Sequence, residues 1–395
     1  MRVAYANVSG RRRVSRLPGS VFVAFVVGCV AVSAGTEVPA PHPSTVSAGT
    51  EVPVPHASTV SAGTEVTASQ SQPAPAAPVP FDQWLEGVRA EALARGIRQE
   101  TVQQAFEGLQ PQLIVVERDR TQAEFALTLD AYLARRLSKT LVRDTRGALA
   151  RHEALFRKVA AKYGVPAAVV AAVWSIESNL GRFSGVRPTI QALATLAWDG
   201  RRAAFFRREL LDALTIIDRG DIEVERLKGS WAGALGQPQF MPSTYLRYAQ
   251  DFDGDGRRDI WRSLPDVFAS IANFLKENGW NPDETWGREV RVAEPDAPAI
   301  AEAAPPRVEG CRAKREMSEP LPLARWTELG VRTVTGTRLP AVDRIASLVT
   351  AGSRNFLVYG NYEALLAYNC AHAYALSVGL LGDALGAGRL QGGGR

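Results

Sequence analysis

The chain has 395 residues, 46% of them hydrophobic and 22% charged, with a formal net charge of +5. That length allows one large core or two modest ones, and the composition is that of an ordinary globular protein. The charge is too weak to argue for nucleic-acid binding, and part of it sits in the N-terminal cluster Arg11, Arg12, Arg13 and Arg16.

After that cluster, "VFVAFVVGCVAVSAG" is apolar but far shorter than the ~20 residues of a membrane-spanning helix, so residues 1–29 read as an export signal. Two processing readings compete. "VVGC", ending at Cys29, has the form of a bacterial lipobox, which would lipidate Cys29 and tie the chain to a membrane. "VSA", ending at Ala34, suits ordinary signal peptidase. Both predict a periplasmic or otherwise exported protein. Next come two near-copies, "VSAGTEVPAPHPST" and "VSAGTEVPVPHAST", and a degraded third. Repeats this rich in Pro, Ser, Thr and Gly build no core, and residues 30–80 read as a flexible tether. Three cysteines are an odd number for an exported chain. With Cys29 lipidated, Cys311 and Cys370 remain, either as a pair or as buried free thiols.

From Phe81 onward, apolar residues fall at helical spacing in "FDQWLEGVRAEALARGI" and "QETVQQAFEGL". "EFALTLDAYLARRL", "RGALARHEALFRKVAAKYG", "TIQALATLAWDG", "AAFFRRELLDALTIIDRG" and "LPDVFASIANFLKENGW" continue the pattern. Residues 286–350 differ: "WGREVRVAE", "WTELGVRTVTG" and "FLVYG" are β-branched and broken by Gly and Pro, which predicts a small β-rich subdomain. "NYEALLAYNCAHAYALSVGLLGDAL" closes the domain as helix, and 388–395 form a tail. The expected fold class is mainly α with a small β insertion.

Three stretches could carry chemistry. In "AAVWSIESNLGRFSG" (171–185) the predicted helix from Pro166 places Val170, Val173, Trp174 and Glu177 on one face. Burial there disfavours the charged carboxylate and raises its pKa, which suits a general acid. The plainer alternative is a helix-end Glu in water or paired with Arg182. In "GSWAGALGQPQFMPSTYLRYAQ" the glycines permit close backbone approach, while Ser230, Gln237, Gln239 and Tyr245 offer neutral hydrogen-bonding groups of the kind a sugar needs. In "DFDGDGRRD", Asp251, Asp253, Asp255 and Gly256 match the start of an EF-hand calcium loop. Arg257 and Asp259 fall at later ligand positions. Position 12 is Arg262 rather than Glu, so a closing carboxylate would have to come from Asp266. An Asp-rich turn that binds nothing tightly is the competing reading.

"IESNLGRFSG", "TLAWDGRRAAFFRREL", "GSWAGALGQPQFMPSTY", "DFDGDGRRDIW" with "SIANFLKENGW", and "AYNCAHAYALSVGLL" occur in this order. The chain resembles the membrane-bound lytic murein transglycosylase B family across roughly residues 81–387. The resemblance implies a lysozyme-like α body with an EF-hand-like calcium loop, and Glu177 as the catalytic acid. It also implies sugar contacts at Ser230 and Gln239, with Tyr368 and Asn369 lining the same groove and Tyr245 and Tyr374 as further wall positions. "YNCAHAY" departs from the pattern, with Cys370 and Ala371 where small polar residues are common. The implied substrate is the peptidoglycan glycan strand, cut between N-acetylmuramic acid and N-acetylglucosamine to leave a 1,6-anhydro end. Catalysis would need no cofactor, and Ca2+ would be structural. A muramidase-type hydrolase and a non-catalytic wall-binding scaffold are the alternatives. Ordinary glycosidases use two carboxylates. The nearest second candidate in sequence, Asp199, suits a capping or salt-bridging role better.

Overall fold

A helix breaker and a restart place the helix that carries Glu177, nine of whose twelve residues are buried. Gly164, in the left-handed region at φ 73°, ends one helix, and Pro166 caps the next, the two axes bending by 109°. The structure is a computed structural model and describes residues 79–121 and 128–390. The export signal, Cys29, the repeats and residues 391–395 lie outside that range.

The chain opens with α1 (Phe81–Ala94), α2 (Gln99–Phe106) and α3 (Leu113–Thr121). It continues through α4 (Leu129–Arg136), α5 (Lys139–Arg151), α6 (Glu153–Tyr163) and α7 (Ala167–Ser178). A short ribbon pairs β1 (Arg187–Pro188) with β2 (Lys228–Gly229); between them run α8 (Thr189–Trp198) and α9 (Ala203–Asp218). After β2 come α10 (Pro242–Tyr248) and α11 (Leu264–Glu277). The α body closes with α15 (Gly360–Tyr368) and α16 (His372–Leu390). Helix α7 is its centre and packs against α16, α5, α11 and α6. Val170, Ala171, Ala172 and Val173 are fully buried, and Phe268 of α11 meets the Trp174 ring edge-on at 4.9 Å. Thr145 and Ser175 share a hydrogen bond of 2.8 Å between α5 and α7, a pairing that burial favours.

Between α11 and α15 the chain builds an antiparallel five-stranded sheet in the order β4-β6-β7-β3-β5. The strands are β3 (Gly287–Arg291), β4 (Leu321–Pro322), β5 (Arg332–Thr333), β6 (Ile345–Ala351) and β7 (Arg354–Val358), with α12 (Ala297–Ala303), α13 (Arg312–Arg315) and α14 (Leu323–Glu328) between them. The sheet has its own core around Trp326, Ile300, Val331 and Leu357. Two expectations need correction here. "WTELGVRTVTG" is mostly not strand: Pro322 caps α14, whose Trp326 is buried and donates from Nε1 to the Ala346 carbonyl at 2.9 Å. The strand from "FLVYG" also runs past residue 350, to Val358. The closing helix is two helices bent by 119°, because Asn369 takes an extended conformation (φ −150°, ψ 115°).

Cys311 and Cys370 are bonded to each other, which decides between the two readings of the cysteines. The bond closes a loop of 59 residues and ties the start of α13 to the bend between α15 and α16. Replacing both cysteines with serine is expected to cost about 2–4 kcal/mol, read as a lower midpoint in chemical denaturation. Among the described residues no single helix is long and apolar enough to cross a membrane.

Candidate active site

Glu177 occupies the last turn of α7, and left-handed Asn179 (φ 49°) and Leu180 (φ 62°) turn the chain away immediately after it. Its side chain keeps some exposed surface, while the carboxyl lies among groups from three other helices. Burial pushes its pKa up to about 7; the Tyr374 hydroxyl and the positive charge of Arg136 act the other way. Arg136, on α4, donates from Nη2 to the Ile176 carbonyl at 2.6 Å, which holds its charge beside the end of α7. Tyr132 of α4 and Tyr368 of α15 are also close enough for the Glu177 charge to raise their pKa values, on top of a larger effect of burial. Among the described residues no other carboxylate perturbs Glu177. The alternative pairing with Arg182 does not form: that guanidinium lies 3.8 Å from Asp144 instead.

The glycine-rich stretch folds against this helix end. Ser230 Oγ accepts the amides of Ala232 and Ala234 (3.3 and 3.0 Å), which curls the loop. Gln239 sits in the left-handed region at φ 55°, its amide donating back to the Gly236 carbonyl at 2.7 Å. Tyr368 reaches across from α15 to donate to the Pro238 carbonyl at 2.8 Å. Gln237 ties the loop to α7: Trp174 Nε1 donates to its Oε1 at 2.6 Å, and its own amide donates to the Trp261 carbonyl at 2.8 Å. Gly181 makes room for that contact, since a Cβ there would lie 2.5 Å from Gln237 Oε1. The end of α7, the glycine-rich loop and the bend between α15 and α16 thus meet at Glu177.

Two of the expected groove residues carry polar atoms that are buried without a hydrogen-bond partner among the described residues. They are Asn369 Oδ1 and Tyr374 Oη. The Tyr374 hydroxyl feels Glu177 electrostatically but makes no bond of ordinary geometry with it. Buried polar atoms are nearly always paired, so unpaired ones beside an acid mark a place where a ligand can supply the partner. Tyr245 requires correction. It is fully buried under the loop, its hydroxyl donates to the Arg258 carbonyl at 2.9 Å, and its ring packs on Trp261. It supports the loop and does not face a groove. Asp199 pairs with Arg120 at 2.7 Å, the salt-bridging role expected of it.

In the aspartate loop, Asp251, Asp253 and Asp255 bring carboxylate oxygens within 4.8 Å of one another, a donor set that fits a hard cation. Asp266 does not join them. It is fully buried, and its two oxygens accept the amides of Phe252 (2.7 Å) and Asp259 (2.8 Å), so it clasps the two ends of the loop. Asp259 is likewise turned to the backbone, accepting from Trp261 and Arg262. Arg257 is exposed, with its amide on Asp255. Tyr132 and Arg136 had no distinguishing signal in the sequence: in "LDAYLARR" they look like ordinary residues of an amphipathic surface helix.

A mainly α body with a small antiparallel sheet and one buried acid at a helix end is a lysozyme-like fold, the fold of lytic transglycosylases of known structure. The model of the transglycosylase SLT domain matches residues 80–383, and the chain belongs to that family. Membrane-bound lytic murein transglycosylase B of Escherichia coli is 32% identical over 235 residues, which span 58% of this chain and 59% of that protein. SltB3 from Pseudomonas aeruginosa, solved in complex with NAG-anhNAM-pentapeptide, is 42% identical. Its TM-score is 0.71, and the match covers 78% of this chain and 79% of that one. The Escherichia coli lytic transglycosylase Slt35, solved in complex with calcium, shares the fold at 24% identity and a TM-score of 0.65, over 79% of this chain and 94% of that one.

Proposed function

We propose that this protein is a peptidoglycan lytic transglycosylase that cuts between N-acetylmuramic acid and N-acetylglucosamine and leaves a 1,6-anhydro end. The observation that carries this reading is a single buried carboxyl, Glu177, with a pKa near neutrality and, among the described residues, no second carboxylate acting on it. Most glycoside hydrolases pair their acid with a second carboxylate that activates water or attacks C1. One acid suffices when the substrate supplies its own nucleophile. Protonated Glu177 gives its proton to the glycosidic oxygen as the C1–O bond breaks, and the leaving N-acetylglucosamine departs as an alcohol. The N-acetyl oxygen of the muramic acid stabilises the cationic C1. Glu177, now a carboxylate, takes the proton from the C6 hydroxyl as O6 bonds to C1. Glu177 ends as it began, protonated, and no water is consumed. A group that gives and takes a proton in turn works best with a pKa near the working pH. Asn369 and Tyr374 would find their missing partners in the sugar, with Tyr368, Gln239 and Ser230 shaping the surrounding wall.

Mass spectrometry of soluble products from peptidoglycan tests this. Products lighter by one water than hydrolysed muropeptides are expected. Ordinary reducing ends would establish a muramidase, and glycan binding without products a scaffold. Tyr374→Phe is expected to shift the alkaline limb of the pH–rate profile upward, since the hydroxyl favours the charged form of Glu177 and its removal raises the pKa.

The cluster of Asp251, Asp253 and Asp255 is proposed to hold a structural Ca2+ that fastens the loop and takes no part in the chemistry. Calcium at a hundred times its dissociation constant would stabilise the fold by about 2.7 kcal/mol, a rise in melting temperature that a chelator should reverse. The basic and apolar N-terminus supports export to the periplasm, with membrane attachment through Cys29 if the lipobox is processed.

A further inference from the structure

Beside the proposed active site, the segment at Ser184, the loop through Glu223–Lys228 and the end of the aspartate loop enclose an open cavity of about 270 Å³. Its charges are unevenly satisfied. Glu223 is taken by Arg226 at 2.9 Å and Asp221 by Arg258 at 3.1 Å. Lys228, Arg257 and Arg262 line the same cavity, are exposed, and form no ion pair among the described residues. Two lining acids have only neutral partners: Glu225 accepts from the Gln104 amide at 3.2 Å, and Asp259 from the backbone amides of Trp261 and Arg262 at 3.0 and 2.9 Å. Trp261 adds a partly exposed aromatic wall, fixed by its Nε1 donating to the Lys228 carbonyl at 3.2 Å. Three cations outside any ion pair, two acids and an indole suit a short, flexible ligand that ends in carboxylate and carries an ammonium group. They do not suit a neutral sugar.

The cavity is joined to the catalytic helix in two ways. Lys228 lies in β2, whose next residues are Gly229 and Ser230, and β2 pairs with β1 just after Gly185. Trp261 is held through its carbonyl by Gln237, which also binds Trp174, three residues before Glu177. We propose that this cavity is a subsite for the carboxylate end of the peptide stem borne by the glycan strand. The proposal rests on the transglycosylase reading, since only that substrate brings such a peptide to Glu177.

The test compares the full chain with the Lys228→Glu, Arg262→Glu double variant on glycan strands that keep their stems and on strands stripped of them by an amidase. The expected result is about a tenfold loss of kcat/KM on stem-bearing strands, the size of two screened ionic contacts, with stripped strands within about twofold. An equal loss on both substrates, or none on either, overturns the subsite while leaving the transglycosylase intact. Calorimetric titration with free stem pentapeptide reads the site without turnover. Binding by the full chain that vanishes in the double variant supports the subsite even if neither strand is cut, an outcome that would remove the enzymatic reading alone. No binding by the full chain overturns the subsite.

Discussion

Glu177→Gln should abolish formation of anhydro-ended products, by about a thousandfold or more, and leave the protein folded and more stable at neutral pH than the parent. The first half follows from the chemistry, since a positioned general acid or base contributes roughly 10²–10⁴ in rate and Glu177 would serve as both. The amide is nearly isosteric but holds no transferable proton. The second half follows from linkage. The folded carboxyl titrates at about 7 against an ordinary 4.5, so between those pH values the native state keeps a proton that the unfolded chain has lost. Stability therefore falls as pH rises through that window and levels off above it. The penalty at pH 8 is at most about 3 kcal/mol, and Gln does not incur it. Urea denaturation of both proteins at pH 4.5 and pH 8 would show the gap opening only at the higher pH. A variant that is inactive but equally stable at both would mean that Glu177 is charged in the native protein, and the acid role would have to go elsewhere.

How much of this was legible in the sequence depends on whether a residue's role is local. The helix of Glu177 was legible because its boundary residues, its apolar run and its single acid are all within one segment. The aspartate loop was legible in part. The alternate spacing of Asp251, Asp253 and Asp255 forces their side chains together, but the fate of Asp266 depends on whether two backbone amides reach it first, and they do. Tyr245 looked like a wall because it is a polar aromatic next to a glycine-rich loop. Its burial is a matter of which face of α10 turns inward, and seven residues of helix give too little pattern to tell. The bend at Asn369 was hidden for another reason: "AYNCAHAY" has acceptable helical residues throughout, and the break accompanies a bond from Cys370 to a cysteine in the sheet subdomain. Arg136 and Tyr132 meet Glu177 only through the packing of α4 on α16, which no local pattern encodes.

Gly185→Ala is expected to be the most damaging single-methyl change near the site, costing several kcal/mol and lowering the melting temperature by about 10 °C. Gly185 has φ 96°, where any Cβ is strained, and the added carbon would land on the carbonyl of Gly229. Neither partner can step aside. Gly229 is held in the ribbon with Arg187, and its own Cα faces the Ala234 carbonyl, so the clash is backbone against backbone on both sides. Relief would require β1 to part from β2, which would release Ser230 and the curl of the loop that carries Gln237 and Gln239. Gly220→Ala is the control. Its φ of 78° carries the same kind of conformational strain, but a Cβ there meets nothing within 4 Å, so its cost should stay near 1 kcal/mol. Thermal melts of the two variants separate the strain common to both from the close approach found only at Gly185. Equal losses would mean that the ribbon yields easily, and the loop would then owe its position to Gln237 and the aspartate loop instead. A loss of activity in Gly185→Ala well below its melting temperature, absent in Gly220→Ala, would locate the effect in the ribbon that joins the Glu177 helix to the loop over it.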